Sequence, residues 1–148
     1  LMLFFTGFSR FSSDIQVAAE KNLKSKQNQL LEMLSLVDDA EKILTSKTDL
    51  EEFGRLLDYT WQLKRGITDK VSTDSIDAVY SRALQAGATG GKLLGAGGGG
   101  FLLFYVDPDK QENVRKALEN LLYVPFEFEN GGTRVIHYTP ESYEPVNA

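Results

Sequence analysis

Residues 90–100 read Gly-Gly-Lys-Leu-Leu-Gly-Ala-Gly-Gly-Gly-Gly, and the apolar run Phe-Leu-Leu-Phe-Tyr-Val follows directly at positions 101–106. Glycine adopts positive φ angles at little cost and lets another chain or a phosphate come close. Successive N–H groups in such a turn form a concave site for anions. The stretch therefore predicts a phosphate-binding loop that leads into a buried strand. The alternative is a loop that only permits tight backbone packing.

Two well-known glycine motifs do not fit this context. Gly95, Gly97 and Gly100 satisfy G-x-G-x-x-G, but a dinucleotide-binding fingerprint follows a strand and opens a helix. Here a helix is predicted before the loop and a strand after it. A P-loop ends in Gly-Lys followed by Ser or Thr, whereas Gly100 is followed by Phe101. Both motifs are therefore excluded.

The hydrophobic pattern on either side of the loop predicts an α+β domain. Apolar residues recur at helical spacing before the loop and after Pro108, while the two ends of the chain read as strands. We expect a ferredoxin-like two-layer domain, with a four-stranded, mostly antiparallel sheet and helices packed on one face. The predicted order is a strand at 1–8, helices at 12–44, 48–65 and 76–86, a strand at 101–106, a helix after Pro108, and a hairpin of 126–128 with 134–138.

Composition excludes several classes of protein. The chain has 148 residues, enough for one domain with a substantial core. Its net charge of -5 gives no general attraction to nucleic acid or to an anionic membrane. Cysteine is absent, which excludes disulfides and thiolate metal sites and fits a reducing compartment such as the cytoplasm. The apolar start is too short to span a bilayer and has no basic leader.

The glycine loop and its flanks resemble a known enzyme family. GGKLLGAGGGGF at 90–101 is similar to the third signature motif of the GHMP kinases (galactokinase, homoserine kinase, mevalonate kinase, phosphomevalonate kinase). The opening FFTGFSRFSSDI, the stretch Trp61 to Lys64 and the run 76–101 resemble the branch of D-glycero-D-manno-heptose 7-phosphate kinases. The resemblance covers nearly the whole chain. It implies that residues 1–148 are the carboxy-terminal domain of a two-domain enzyme whose ATP-binding amino-terminal half is missing from this sequence.

The resemblance implies transfer of the γ-phosphoryl group of ATP to a sugar hydroxyl. The expected acceptor is the anomeric hydroxyl of a heptose 7-phosphate. ATP and Mg²⁺ would be bound mainly by the missing amino-terminal domain, against which this chain would pack, so the chain alone should be inactive. Two alternatives stay open: a kinase of another metabolite, of the mevalonate or galactose type, and a non-catalytic anion-binding module. An RNA-binding ferredoxin-like domain is disfavoured by the acidic balance.

The candidate site residues follow the same reasoning. Arg10 could clamp a substrate phosphate or merely pair with a carboxylate. Lys64 could bind an anion or complement the dipole at its helix end, and Lys92 could reach a phosphate or face solvent. We expect no catalytic residue and no metal ligand in this chain. The loop residues Gly95, Ala96, Gly97, Gly98, Gly99 and Gly100 are assigned to the nucleotide, and Ser9, Arg10, Lys64 and Lys92 to the substrate.

Overall fold

The computed structural model describes residues 1–7 and 12–139, with residues 12–14 as backbone only. The described part of the chain contains four strands, five α-helices and one short 3-10 helix. Their bounds are β1 (Met2–Phe5), α1 (Ser12–Asn22), α2 (Gln27–Thr45), α3 (Glu51–Arg65), α4 (Asp74–Gln85), β2 (Ala88–Leu93), β3 (Phe101–Val106), the 3-10 turn Pro108–Lys110, α5 (Gln111–Ala117) and β4 (Leu122–Tyr123). None of these helices is both long enough and apolar enough to cross a membrane.

The four strands form one sheet in the order β2-β3-β1-β4, and every neighbouring pair is antiparallel. Strand β1 pairs with β3, with Phe4 opposite Leu102, and it pairs with β4, with Phe4 opposite Tyr123. Helices lie between β1 and β2 and again between β3 and β4. The predicted ferredoxin-like α+β fold is therefore confirmed.

The core lies on one face of this sheet. Side chains alternate along each strand, so Met2 and Phe4 of β1 share a buried face with Leu102 and Phe104 of β3. The rings of Phe4 and Phe104 meet edge to face, with centroids 6.3 Å apart. Helices α4 and α5 contribute further members of the same cluster: Ile76, Val79, Tyr80, Ala83, Val114 and, just beyond α5, Leu118.

The prediction that residues 90–93 belong to the loop is wrong, because they form the last four residues of β2. Gly90 and Gly91 suggested a turn, yet both sit in a strand because other backbone approaches them closely. A Cβ atom on Gly90 would overlap the carbonyl oxygen of Gly54 in α3, and one on Gly91 would overlap that of Leu103 in β3. These glycines therefore permit packing rather than bending, and the true loop is 94–100.

The predicted terminal hairpin is also wrong within the described residues. Segments 126–128 and 134–138 form no strands, and β4 is instead the short pair Leu122–Tyr123. Phe128 is 81% exposed and Ile136 is 89% exposed. The two segments have the composition of strands, but neither pairs with a strand of the sheet within the described residues.

Two predictions about the helices need correction. The long helical pattern breaks after Asn22 and restarts at Gln27, giving α1 and α2 rather than one helix. The pattern Thr48-x-x-Glu51 also predicts a capping box at the start of the second long helix. The box is not formed, since the amide of Glu51 donates instead to the carboxylate of Asp49 at 3.0 Å. Asp49 therefore satisfies an amide at the start of α3.

Candidate functional site

The glycine loop connects β2 to β3 at one end of the sheet. Five of its glycines have positive φ angles: Gly95 (76°), Gly97 (124°), Gly98 (71°), Gly99 (159°) and Gly100 (104°). The loop is closed at its base by the amide of Leu94, which donates to the carbonyl of Phe101 at 2.8 Å. Residues with side chains adopt such φ angles only under strain, so glycine is needed for this path of the backbone.

The end of β1 holds one side of the loop. The amide of Thr6 donates to the carbonyl of Gly100 at 2.8 Å, and the amide of Gly100 donates to the Thr6 hydroxyl oxygen at 3.1 Å. The Thr6 hydroxyl also donates to the carbonyl oxygen of Gly100 at 3.0 Å. Thr6 is buried. The opening strand therefore fixes the position of the loop where it enters β3.

The segment before α4 holds the other side. The amide of Gly98 donates to the carbonyl of Val71 at 2.9 Å. A Cβ atom on Gly97 would lie 2.8 Å from that same carbonyl oxygen and 2.9 Å from the Cα atom of Val71. The two backbones touch here, so position 97 has no room for a side chain.

Four amides of the loop are left without a protein acceptor among the described residues. The amides of Leu94, Gly98 and Gly100 are used in the contacts above, whereas no acceptor is found for those of Gly95, Ala96, Gly97 and Gly99. Consecutive N–H groups in a turn of this kind favour an anion. The loop is thus rigidly held while its remaining donors stay available.

Lys64, in the last turn of α3, binds backbone carbonyls at the start of the loop. Its ammonium group donates to the carbonyl of Leu93 at 3.2 Å and also to the carbonyl of Gly95. Burial and, secondarily, the nearby charge of Lys92 lower the pKa of Lys64 to about 8. An ammonium group has three donors, so one remains for another acceptor.

Lys92 lies on β2 opposite Leu103. Its side chain is half-buried, and this burial lowers its pKa as well. Within the described residues, neither Lys92 nor Lys64 forms an ion pair with a carboxylate. Two partly desolvated cations without a counter-ion lie beside a loop with free amides, and this arrangement favours an anionic ligand.

A shallow depression connects the loop to the helices. Its wall is mainly aliphatic, and among the described residues that line it Lys64 is the one with a charged side chain. The other principal lining residues are Ile15, Ala19, Ile67, Val71 and Ala96. The structure therefore brings the loop and Lys64 together at one surface.

The remaining predicted residues have separate outcomes. Ser9 and Arg10 lie outside the described residues, so their assignment stays a prediction. Trp61 is fully buried against Tyr80, with ring centroids 6.2 Å apart, and is a core residue. Among the described residues no cluster of three or more His, Asp or Glu side chains could hold a metal ion.

Sequence reasoning missed the network around Tyr80. The Tyr80 hydroxyl donates to the Asp58 carboxylate at 2.5 Å, lies 3.0 Å from the carbonyl of Gly91, and accepts from the Gly91 amide at 3.1 Å. Burial and the bond to Asp58 raise the pKa of Tyr80. The network ties α4, α3 and β2 together directly before the loop. The helical spacing around Tyr80 predicted only that Tyr80 lies in the core. It could not predict the hydrogen bonds, because a hydroxyl at a core position has no sequence signal of its own.

Replacing Tyr80 with phenylalanine is expected to destabilise the chain by about 1–3 kcal/mol, because the buried polar groups of Gly91 lose their partner. The measurement is the free energy of unfolding in urea. Tyr59→Phe is the matched control, since the Tyr59 hydroxyl meets Glu32 at an exposed position. A loss in Tyr80→Phe no greater than in this control would contradict the network's importance.

Known proteins are similar to this chain in sequence and in fold. Residues 40–124 match the family model described as GHMP kinases C terminal. The chain is 34% identical over 119 residues to D-glycero-alpha-D-manno-heptose 7-phosphate kinase of Campylobacter jejuni, a match that covers 79% of this chain and 35% of that protein. It is 34% identical over 122 residues to mevalonate kinase of Pyrococcus abyssi, covering 78% of this chain and 36% of that protein.

The fold comparison agrees. The crystal structure of L. major mevalonate kinase in complex with R-mevalonate superposes with a TM-score of 0.68 at 23% identity, covering 80% of this chain and 37% of that one. Methanococcus jannaschii mevalonate kinase gives a TM-score of 0.69 at 23% identity, covering 83% and 37%. The chain thus spans about a third of the length of these relatives. Because this family model matches more than half of the chain, the chain belongs to the GHMP kinases and contains their carboxy-terminal domain.

Proposed function

We propose that this chain is the carboxy-terminal part of a longer ATP-dependent kinase that phosphorylates a sugar phosphate. The observation that carries the proposal is the glycine loop, held by Thr6 and Val71 while the amides of Gly95, Ala96, Gly97 and Gly99 stay available. Amides fixed in advance can stabilise the negative charge of a phosphoryl group without rearranging during the reaction.

In the proposed reaction the bond between the γ-phosphorus of ATP and the oxygen bridging to the β-phosphate breaks. A new bond forms between that phosphorus and a hydroxyl oxygen of the acceptor, and the hydroxyl proton passes to a base. ADP leaves with the bridging oxygen. Such transfer depends mainly on alignment and charge neutralisation, which is what a fixed loop and nearby cations supply.

We assign the loop to the phosphates of ATP and the two lysines to the phosphate of the acceptor. Lys64 keeps one donor beyond its bonds to Leu93 and Gly95, and Lys92 adds a second charge. We assign Mg²⁺ and the base to the part of the longer protein that precedes this chain. The proposal needs that part to pack against the loop.

The proposed acceptor is D-glycero-D-manno-heptose 7-phosphate, phosphorylated at its anomeric hydroxyl. The match to the Campylobacter jejuni protein supports this choice. The positive charges of Lys64 and Lys92 support it as well, since they pair with no carboxylate among the described residues and suit an acceptor that already carries a phosphate. The second candidate is mevalonate, supported by the match to the Pyrococcus abyssi enzyme.

An acceptor panel tests the proposal on the longer protein with ATP and Mg²⁺. We expect ADP release with heptose 7-phosphate and a kcat/KM at least about a hundredfold lower with the same heptose lacking its phosphate, since a charge-assisted phosphate contact contributes about 1.5–3 kcal/mol and two lysines are available. Mevalonate and galactose are the comparison acceptors. Robust turnover of mevalonate alone would overturn the heptose assignment, and no turnover of any acceptor would favour the anion-binding module.

A further inference from the structure

Strand β4 ends early although the residues after it look like strand. It pairs with β1 through Phe4 opposite Tyr123 and Phe5 opposite Leu122. The amide of Val124 still donates to the carbonyl of Leu3 at 2.9 Å, so the pairing continues one residue beyond β4. Because β4 and β1 are antiparallel, each further residue of β4 lies opposite the residue one position earlier in β1. The same register places Phe126 opposite Leu1, and Glu127 and Phe128 opposite the two residues that would precede Leu1 in a longer chain.

Pro125 fits this register. Val124 and Leu3 form a hydrogen-bonded pair, so the next residue, Pro125, falls at a position whose N–H would point away from β1. Proline is tolerated in an edge strand where its missing N–H faces solvent. The proline therefore does not stop the strand.

The side chains also alternate as a strand requires. Leu122 lies opposite Phe5, and in a continued strand Val124, Phe126 and Phe128 would follow it at every second position on that same face, opposite to Tyr123. The rings of Phe126 and Phe128 contact each other, with centroids 5.9 Å apart. Leu122 is 65% exposed and Phe128 is 81% exposed. An apolar stripe thus exists without a covering partner among the described residues.

We propose that the polypeptide immediately preceding Leu1 in the longer protein extends β1 backwards and pairs with Glu127 and Phe128, so that β4 continues to Phe128 with Phe126 opposite Leu1. The inference rests on the proposed function in one respect, namely that this chain is part of a longer protein. The comparisons support a preceding segment, since the matches cover only 35–37% of the relatives' length and the matching family model describes the C-terminal part of GHMP kinases. The extended β1 would link the preceding part of the enzyme directly to Thr6 and the glycine loop.

Disulfide trapping tests the register in the longer protein, with any cysteines of the preceding part replaced by serine. One variant combines Glu127→Cys with a cysteine at the residue immediately before Leu1. The two form a non-hydrogen-bonded pair whose Cα atoms should lie about 4.5 Å apart, within the range of about 4.4–6.8 Å that a disulfide spans. The control combines Phe128→Cys with the same upstream cysteine, since a shift of one residue places the two side chains on opposite faces.

We expect the Glu127 pair to form an intramolecular disulfide under mild oxidation at least about tenfold faster than the Phe128 pair, as read from the cross-linked peptides by mass spectrometry. Equal rates, a preference for the Phe128 pair, or no cross-link in either would overturn the proposal. Hydrogen exchange of the unsubstituted longer protein is the second measurement: the amides of Phe126 and Phe128 should be protected, and those of Glu127 and Glu129 should exchange rapidly. Both readouts are independent of the acceptor and of turnover.

Discussion

Gly97→Ala in the longer kinase is expected to lower kcat by about a hundredfold, because a displacement of about 1 Å at a phosphate-positioning group has an effect of this size. The new Cβ atom would lie 2.8 Å from the carbonyl oxygen of Val71. The atoms of Val71 that it would meet belong to the backbone and cannot rotate away, so the loop or the segment at Val71 has to move. The movement would carry Gly98, whose amide is bonded to Val71, and with it the neighbouring amides of the loop.

Gly95→Ala separates this steric effect from simple backbone strain. Gly95 also has a positive φ angle, 76°, but a Cβ atom there would meet nothing within 4 Å. We expect a stability loss of about 1–2 kcal/mol from the left-handed conformation and a much smaller loss of kcat than in Gly97→Ala. Steady-state kinetics of the two variants under saturating ATP make the comparison. Equal losses of kcat would show that the contact with Val71 does not position the loop.

Lys64→Met in the longer kinase is expected to raise the KM for the phosphorylated acceptor by about ten- to a hundredfold, since a hydrogen bond to a charged group contributes about 1.5–3 kcal/mol. Methionine keeps an unbranched apolar stem but removes the charge. Lys70→Met is the matched control because Lys70 is exposed and lies near the segment that holds the loop. The same KM in both variants would contradict the assignment of Lys64 to the acceptor.

The lowered pKa of Lys64 gives this prediction a pH dependence. Binding of a phosphate needs the ammonium form, so affinity for the acceptor should fall as the pH rises above about 8. Stability should change in the opposite direction. Between pH 8 and 10.5 the unfolded chain holds the Lys64 proton more tightly than the folded chain, so folding stability relative to Lys64→Met rises with pH across this window. Urea unfolding of both chains at the two ends of the window measures the difference.

Local patterns predicted most of the fold. The apolar runs at β1 and β3 and the helical spacing of α3 and α4 were sufficient, because each buries a face that its own sequence defines. Strand β2 was missed because Gly90 and Gly91 have no local preference for a strand. Their conformation is decided by the approach of Gly54 and Leu103, which are distant in sequence.

At the candidate site, too, local sequence predicted some features, while others depend on residues that are distant in sequence. The glycine run itself predicted the loop, and the end of α3 drew attention to Lys64. The contacts that fix the loop could not be predicted, because Thr6 and Val71 reach it only through the folded chain. The terminal hairpin was predicted from strand-like composition, but a strand also needs a partner, and for Glu127 and Phe128 we place that partner before Leu1.

The central claim is that amides of the glycine loop contact the phosphates of ATP. The most direct measurement is the NMR spectrum of the longer protein with isotope-labelled glycine, before and after addition of a non-hydrolysable ATP analogue with Mg²⁺. We expect large shifts of the Gly95, Gly97 and Gly99 amides, with Gly54 and Gly132 unchanged. Binding of the analogue with the loop amides unchanged would contradict the central claim.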